Sequence, residues 1–268
     1  MNYKLLLLIA LVSAACRRPS KQLGATLSPT SKPTQTVASA TPDIADYSRN
    51  LKAGDELVAT GTEPFWSLTI NPSKNSLRFR ALSADSVNTP VPQRIDDSDG
   101  RIRFNAETAS GWLSVLFRPD SCVSAASGQR ADYRVEVSYS GKTYTGCGVS
   151  LRQLTLLNDI LVLKTLNGKP VQPGSPGNEL PRLEIQLTEG RVTGTTGCNR
   201  LTGRIKADTR QVQFGPMATT RMACPGETGR LAGDFLEALN QSLTYSVAEG
   251  ALTLLHDGKP VMTLRKVD

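Results

Sequence analysis

Five cysteines and a single histidine set the limits of the chemistry in this 268-residue chain. Cys16, Cys122, Cys147, Cys198 and Cys224 form no C-x-x-C pair, so the spacing of a disulfide-exchange catalyst or of a zinc site is missing. His256 stands alone, which excludes a histidine metal cluster and H-E-x-x-H chemistry. It flanks the Asp257-Gly258 turn and reads as ordinary surface. Neither G-x-S-x-G nor S-x-x-K occurs, and no phosphate-cradling glycine loop or dinucleotide fingerprint is present. The residues therefore nominate no catalytic group, no metal ligand and no cofactor. The odd cysteine count needs an explanation.

The N-terminus supplies one. After Lys4, Leu5–Val12 is an unbroken run of eight apolar residues, followed by Ser13-Ala14-Ala15 and then Cys16. This is the layout of a secretory signal, residues 1–15. As a helix it would span about 12 Å, too short to cross a hydrocarbon core of about 30 Å. The small residues directly before Cys16 resemble a bacterial lipobox. That resemblance implies that Cys16 becomes the mature N-terminus and carries acyl chains, making the membrane a partner through a lipid anchor. One position departs from the pattern: Ser13 stands where leucine is usual. Plain cleavage after Ala15 is the alternative. Arg17, rather than aspartate, after the cysteine implies the outer membrane by resemblance to enterobacterial sorting.

Residues 16–48 combine prolines with many serines and threonines and lack apolar periodicity. Such a segment cannot bury enough surface to offset ordering entropy and is expected to be a disordered tether. The formal charge of the whole chain is +7. Residues 49–154 and 155–268 each hold 13 basic and 11 acidic residues, with no basic block, so nucleic acid is not an expected partner.

Two domains, 49–154 and 155–268, are expected, both mainly β. In the first, Leu77-Phe79-Ala81, Ile102-Phe104-Ala106 and Tyr133-Val135-Val137-Tyr139 alternate. Gly111–Phe117 reads as a largely buried strand, and no helical period stands out. An all-β barrel or sandwich follows. Cys122 and Cys147 bracket the Ser140-Gly141 hairpin, and in an oxidising compartment they are expected to pair. The sequence GTEPFW (Gly61–Trp66) and the later YTGCG (Tyr144–Gly148) resemble an uncharacterised bacterial envelope domain covering about 54–149. That resemblance implies a fold and no activity. Glu63, Phe65 and Trp66 admit two readings: a binding face, or residues pointing to opposite faces with one filling the core. Asp96–Gly100 has acidic spacing reminiscent of a calcium loop, but its register fails and a solvated turn is expected.

In the second domain, Ile160–Leu166, Leu183-Ile185-Leu187 and Gln211–Phe214 read as strands. Leu231, Phe235, Leu236, Leu239 and Leu243 place a helix over 228–243. A β-meander follows, with turns at Glu249-Gly250 and Asp257-Gly258. Gly197-Cys198-Asn199-Arg200 with Gly203, and Met217–Cys224 (MATTRMAC), resemble the META domain, the family of the heat-shock protein HslJ, over about 158–266. The resemblance implies an antiparallel, barrel-like α+β domain found in stress-linked envelope lipoproteins, with no established catalytic residues. Cys198 and Cys224 are expected to pair. Asn199 and Arg221 are candidate binding residues, or else a turn closure and a local pairing.

The expected function is a non-enzymatic envelope lipoprotein that binds a protein or lipid in stress tolerance or assembly. An inhibitor of a hydrolase such as lysozyme is an alternative, opposed by the positive charge of this chain against a basic target. An enzyme acting on cell wall or lipid is a second alternative.

Overall fold

The computed structural model describes residues 44–82, 85–172 and 179–267. The expectations for the signal sequence, Cys16 and most of the tether lie outside the described residues. The tether's expected end at residue 48 does not hold: Ala45 is buried and Tyr47 packs against the core, just before helix α1 (Ser48–Ala53).

The first sheet is antiparallel. Its strands are β1 (Leu57–Thr62), β2 (Phe65–Asn71), β3 (Ser76–Ala81), β4 (Ser86–Thr89), β5 (Ile95–Asp96), β6 (Ile102–Thr108), β7 (Gly111–Val123), β8 (Arg130–Tyr139) and β9 (Lys142–Ser150). Their order is β4-β3-β2-β1-β9-β8-β7-β6-β5. The sheet curls until β4 touches β6 while the edges do not pair, so this all-β half is a half-barrel, in keeping with the barrel alternative expected of it. Period-two alternation holds along it: Leu77, Phe79, Ile102, Phe104, Val135 and Val137 are buried. Strand β7 alternates too, with Leu113, Val115 and Phe117 inside and Trp112 exposed, so it is half-buried rather than largely buried.

The second sheet comprises β10 (Ile160–Leu166), β11 (Lys169–Pro170), β12 (Arg182–Gln186), β13 (Arg191–Thr195), β14 (Arg200–Ala207), β15 (Gln211–Phe214), β16 (Ala218–Thr219), β17 (Leu243–Ala248), β18 (Ala251–His256) and β19 (Lys259–Lys266). Pairing of β10 with β19 closes eight of these strands into a barrel. Its hairpins turn at Asn167-Gly168, Glu249-Gly250 and Asp257-Gly258, each with positive φ at both residues, the geometry that matches strand twist.

Helix α3 runs over Gly226–Leu239, shorter than the expected 228–243. Leu243 instead begins β17 opposite Val212; a leucine four residues after Leu239 satisfies helix and barrel periodicity alike. Leu187 likewise leaves its strand for a short 3₁₀ turn, its N–H donating to Asn158 Oδ1 at 3.0 Å.

The expected boundary at 154/155 is not an exposed linker. It falls in a four-residue helix, α2 (Arg152–Thr155), whose Leu154 and whose neighbours Leu151 and Leu157 are all fully buried. One apolar cluster runs from the barrel interior through these leucines to Val149, Ala131, Cys122 and Cys147 of the first sheet. A second cluster fills the half-barrel alone, around Trp66, Phe79 and Phe117. The described residues thus form one compact unit. Arg210 adds a polar contact at the junction, with Nε and Nη2 donating to Asp132 Oδ1 at 3.2 and 3.1 Å.

Candidate functional site

The two motifs of the first sheet meet in space. Trp66 is fully buried and Phe65 about half exposed, as alternation along β2 requires. The Trp66 indole packs 6.0 Å from the Phe79 ring, which in turn meets Tyr144 edge-on at 5.0 Å. Trp66 Nε1 donates to the Thr145 carbonyl at 3.1 Å, satisfying the one polar atom of the ring. A Cβ at Gly146 would lie 2.1 Å from the Thr60 carbonyl oxygen and 2.8 Å from Trp66 Cζ2, so only glycine fits there. GTEPFW and YTGCG are thus two halves of one packing joint. The binding-face reading of Trp66 is corrected: an indole with no exposed surface cannot contact a ligand. Glu63 and Phe65 stay exposed at the rim beside the β1–β2 turn, where Phe65 accepts a backbone hydrogen bond from Leu82.

At that rim Asp85 accepts hydrogen bonds from Tyr144 Oη and from Lys142 Nζ, the latter at 2.9 Å. The Asp85 carboxylate holds the Lys142 ammonium above the usual lysine range. Sequence reading missed this group because Asp85 lies in an unpatterned loop.

The Asp96–Gly100 turn is solvated, as expected. Its carboxylates face arginines: Asp96 with Arg94, Asp97 with Arg103 and Asp99 with Arg101.

In the barrel, Asn199 latches the two motif segments together. Its Oδ1 accepts from Thr220 Oγ1 and from the Met222 N–H, both at 2.8 Å. Its Nδ2 donates to the Met222 carbonyl at 3.2 Å and lies 3.0 Å from Cys224 Sγ. The Cys198–Cys224 disulfide, with Cα atoms 6.1 Å apart, ties the same segments covalently. The other expected pair, Cys122–Cys147, is also bonded, with Cα atoms 5.5 Å apart. Asn199 therefore closes a turn, and it also holds a distant chain segment, for which nothing in GCNR alone gave a signal. Arg221 is exposed and makes no ion pair among the described residues, which differs from the local pairing expected of it. An open groove of about 960 Å³ lies beside the latch, lined by Arg182, Glu184, Thr195, Arg200, Thr219 and Met222 among others.

The structure leaves the candidate residues in two groups. Glu63, Phe65 and Trp66 belong to the half-barrel, and Asn199 and Arg221 to the barrel. His256 sits at the surface, with Nδ1 3.0 Å from the Ser242 carbonyl oxygen.

Two short segments joined by one asparagine and one disulfide, on a barrel carrying a single long helix, are the features by which this half can be compared with known families. Residues 154–268 match the META domain family. No curated protein matches the chain. Two solved structures are similar over part of it. One is an NMR structure 25% identical, covering 42% of this chain and 93% of its own, with a TM-score of 0.35. The other is an NMR structure of a protein from Burkholderia xenovorans, 26% identical, covering 42% of this chain and 86% of its own, also with a TM-score of 0.35. Within the META domain, the latch accounts for the G-C-N-R and M-A-T-T-R-M-A-C segments as architecture that presents an exposed extended strand.

Proposed function

We propose that this protein is a lipid-anchored binding protein of the bacterial cell envelope, not an enzyme, facing the periplasm from the outer membrane. The observation that carries this reading is the division of the cysteines. Four of the five are joined within the folded unit, and Cys16 stands apart from them, directly after an apolar run and three small residues. Disulfides of this kind persist in oxidising compartments such as the periplasm. Acyl chains on Cys16 would give stable anchoring, since each buried CH₂ contributes about 0.8 kcal/mol. The Pro/Ser/Thr-rich stretch would then let the folded unit reach roughly 30 Å from the bilayer.

The surface chemistry supports binding. The exposed Asn199-latched strand and the Phe65 and Leu82 rim offer contact area, the first tied down by Asn199 and the second by the Leu82 N–H donating to the Phe65 carbonyl.

The experiment is intact-mass analysis of the mature chain with membrane fractionation. A triacylated Cys16 in the membrane fraction, lost to the soluble fraction in Cys16→Ser, is expected. An unmodified Cys16 would remove the anchor from the proposal.

A further inference from the structure

We propose that the META domain binds an extended acidic peptide segment, which adds as a strand to the free edge formed by Thr219, Thr220 and Arg221. This deepens the binding reading above by naming the partner's chemistry, and it does not depend on the anchor.

The edge follows from the pairing register. Strand β16 pairs only with β14 among the described residues, with Leu201 opposite Thr219 and Thr202 opposite Ala218. The Thr220 N–H donates to the Arg200 carbonyl at 3.1 Å, and the Arg200 N–H to Thr220 Oγ1 at 3.1 Å. Antiparallel pairs alternate between bonded and non-bonded positions. If Thr220 faces β14, the N–H and C=O groups of Thr219 and Arg221 face the other way. Among the described residues no strand pairs with that side of β16: β17 pairs β15 only at Gln211 and Val212, opposite the other end of β14. Residues 218–223 are all exposed. Free edges of this kind accept a further strand through main-chain hydrogen bonds.

The edge is also held ready. Asn199 fixes Thr220 and Met222, and the Cys198–Cys224 disulfide fixes the end of the segment. A segment already held extended has less conformational freedom to lose on binding.

Charge selects the partner. Arg221 lies on the edge itself, and Arg200 and Arg204 lie one strand away on β14. None of the three makes an ion pair among the described residues. Two carboxylates, Glu179 and Glu184, line the adjoining groove, against Arg182 and Arg200 in the same groove and Arg221 on the edge, and Glu184 already accepts from Thr193. The exposed Met222 side chain at the end of the edge suits an apolar neighbour. The matching ligand is an extended segment that alternates carboxylate and apolar side chains.

The test uses the full-length chain and a blocked, fluorescent pentapeptide alternating valine and glutamate, with binding read by anisotropy. Hydrogen exchange over 216–223 is measured in parallel. Binding is expected with slowed exchange in that segment, and the valine–lysine counterpart should bind at least about tenfold more weakly. Thr219→Pro removes an outward N–H without touching the β14 ladder, and should weaken binding about fivefold to tenfold with an unchanged unfolding midpoint. Should that variant not fold, N-methylation of alternate peptide nitrogens tests the same bonds on the unaltered protein. Arg200→Glu with Arg221→Glu should reverse the preference towards the lysine peptide. Equal binding by the N-methylated peptide, preference for lysine in the unaltered chain, or binding to anionic phosphatidylglycerol vesicles with none to either peptide would overturn the proposal. None of these results would alter the fractionation of Cys16→Ser, so the two readings fail separately.

Discussion

The indole of Trp66 occupies the space that a side chain on Gly61 would need: a Cβ there would lie 2.2 Å from Trp66 Nε1 and 2.4 Å from the Thr145 carbonyl oxygen. The glycine and the tryptophan of GTEPFW are therefore one device, with the small residue opposite the large one in register across β1 and β2.

Replacing Gly61 by alanine should cost at least about 2 kcal/mol, because backbone and a locked ring must both shift. Trp66→Phe should cost about 2–3 kcal/mol through a smaller ring and an unpaired Thr145 carbonyl. Urea unfolding of each variant measures this. A loss under 0.5 kcal/mol for both would contradict the joint.

Asn199 offers a sharper substitution. In Asn199→Asp the acceptor atoms for Thr220 and Met222 remain, while the donor to the Met222 carbonyl is lost. Asn199→Ala removes both. Exchange of the 218–223 amides should therefore accelerate modestly in the aspartate variant and strongly in the alanine variant, with a stability loss of about 1–3 kcal/mol for alanine. Equal acceleration in the two would contradict the acceptor's role.

The shared core predicts one cooperative unfolding transition for the two sheets together, as calorimetry would read it. Replacing Cys122 and Cys147 by serine removes a crosslink over 25 residues, worth about 3.5 kcal/mol in the chain-entropy account. It also places hydroxyls in the cluster joining the sheets, so their separation into two transitions is expected in that variant alone. Two transitions in the unaltered protein would contradict the continuity of the core. Asp132→Ala, which cuts only the partly exposed pair with Arg210, should cost under about 1 kcal/mol.

Asp159 links stability to pH. Lys266 Nζ lies 2.9 Å from its carboxylate, and this hydrogen bond, with that from the Ile160 N–H, holds Asp159 below the usual carboxylate range. A carboxyl lowered on folding contributes stability above its unfolded value of 3.8 and loses it as pH falls through the folded value. Lys266→Met should therefore lower the melting temperature at pH 7 more than at pH 2.5. An equal effect at both would assign the contribution to packing.

Two tyrosines at the junction shift in the same direction. Burial, helped by the Asp208 and Asp132 carboxylates, pushes the Tyr47 phenol up to about 12 and Tyr245 upward for the same reasons. Spectrophotometric titration should find both still protonated at pH 10.5, and ionisation of either near 10 would place it outside the core.

Much of this was legible from local pattern. The alternation of Phe65 and Trp66 requires one ring inside and one out, and Asn167-Gly168, Glu249-Gly250 and Asp257-Gly258 each turn as their composition requires. What was not legible depends on pairs distant in the chain. Gly146 is glycine because of Thr60 and Trp66, some eighty residues earlier. Asn199 bonds a segment more than twenty residues later. The leucines at 151, 154 and 157 look like the edge of either domain's core; only the packing shows that they serve both. The free edge at Thr219 is equally silent in the sequence, since the absence of a neighbouring strand leaves no periodicity to read.

Closure of the barrel through β10 and β19 orders events in time. The first strand of the META domain finds its second partner only when Lys259–Lys266 is available. A chain synthesised from its N-terminus must hold β10 half-paired until β19 is available. The half-barrel can pair all nine of its strands before then, because β9, its last strand, ends at Ser150. Closure of the barrel thus waits for β19, and truncation before Lys259 would leave an open sheet with two sticky edges.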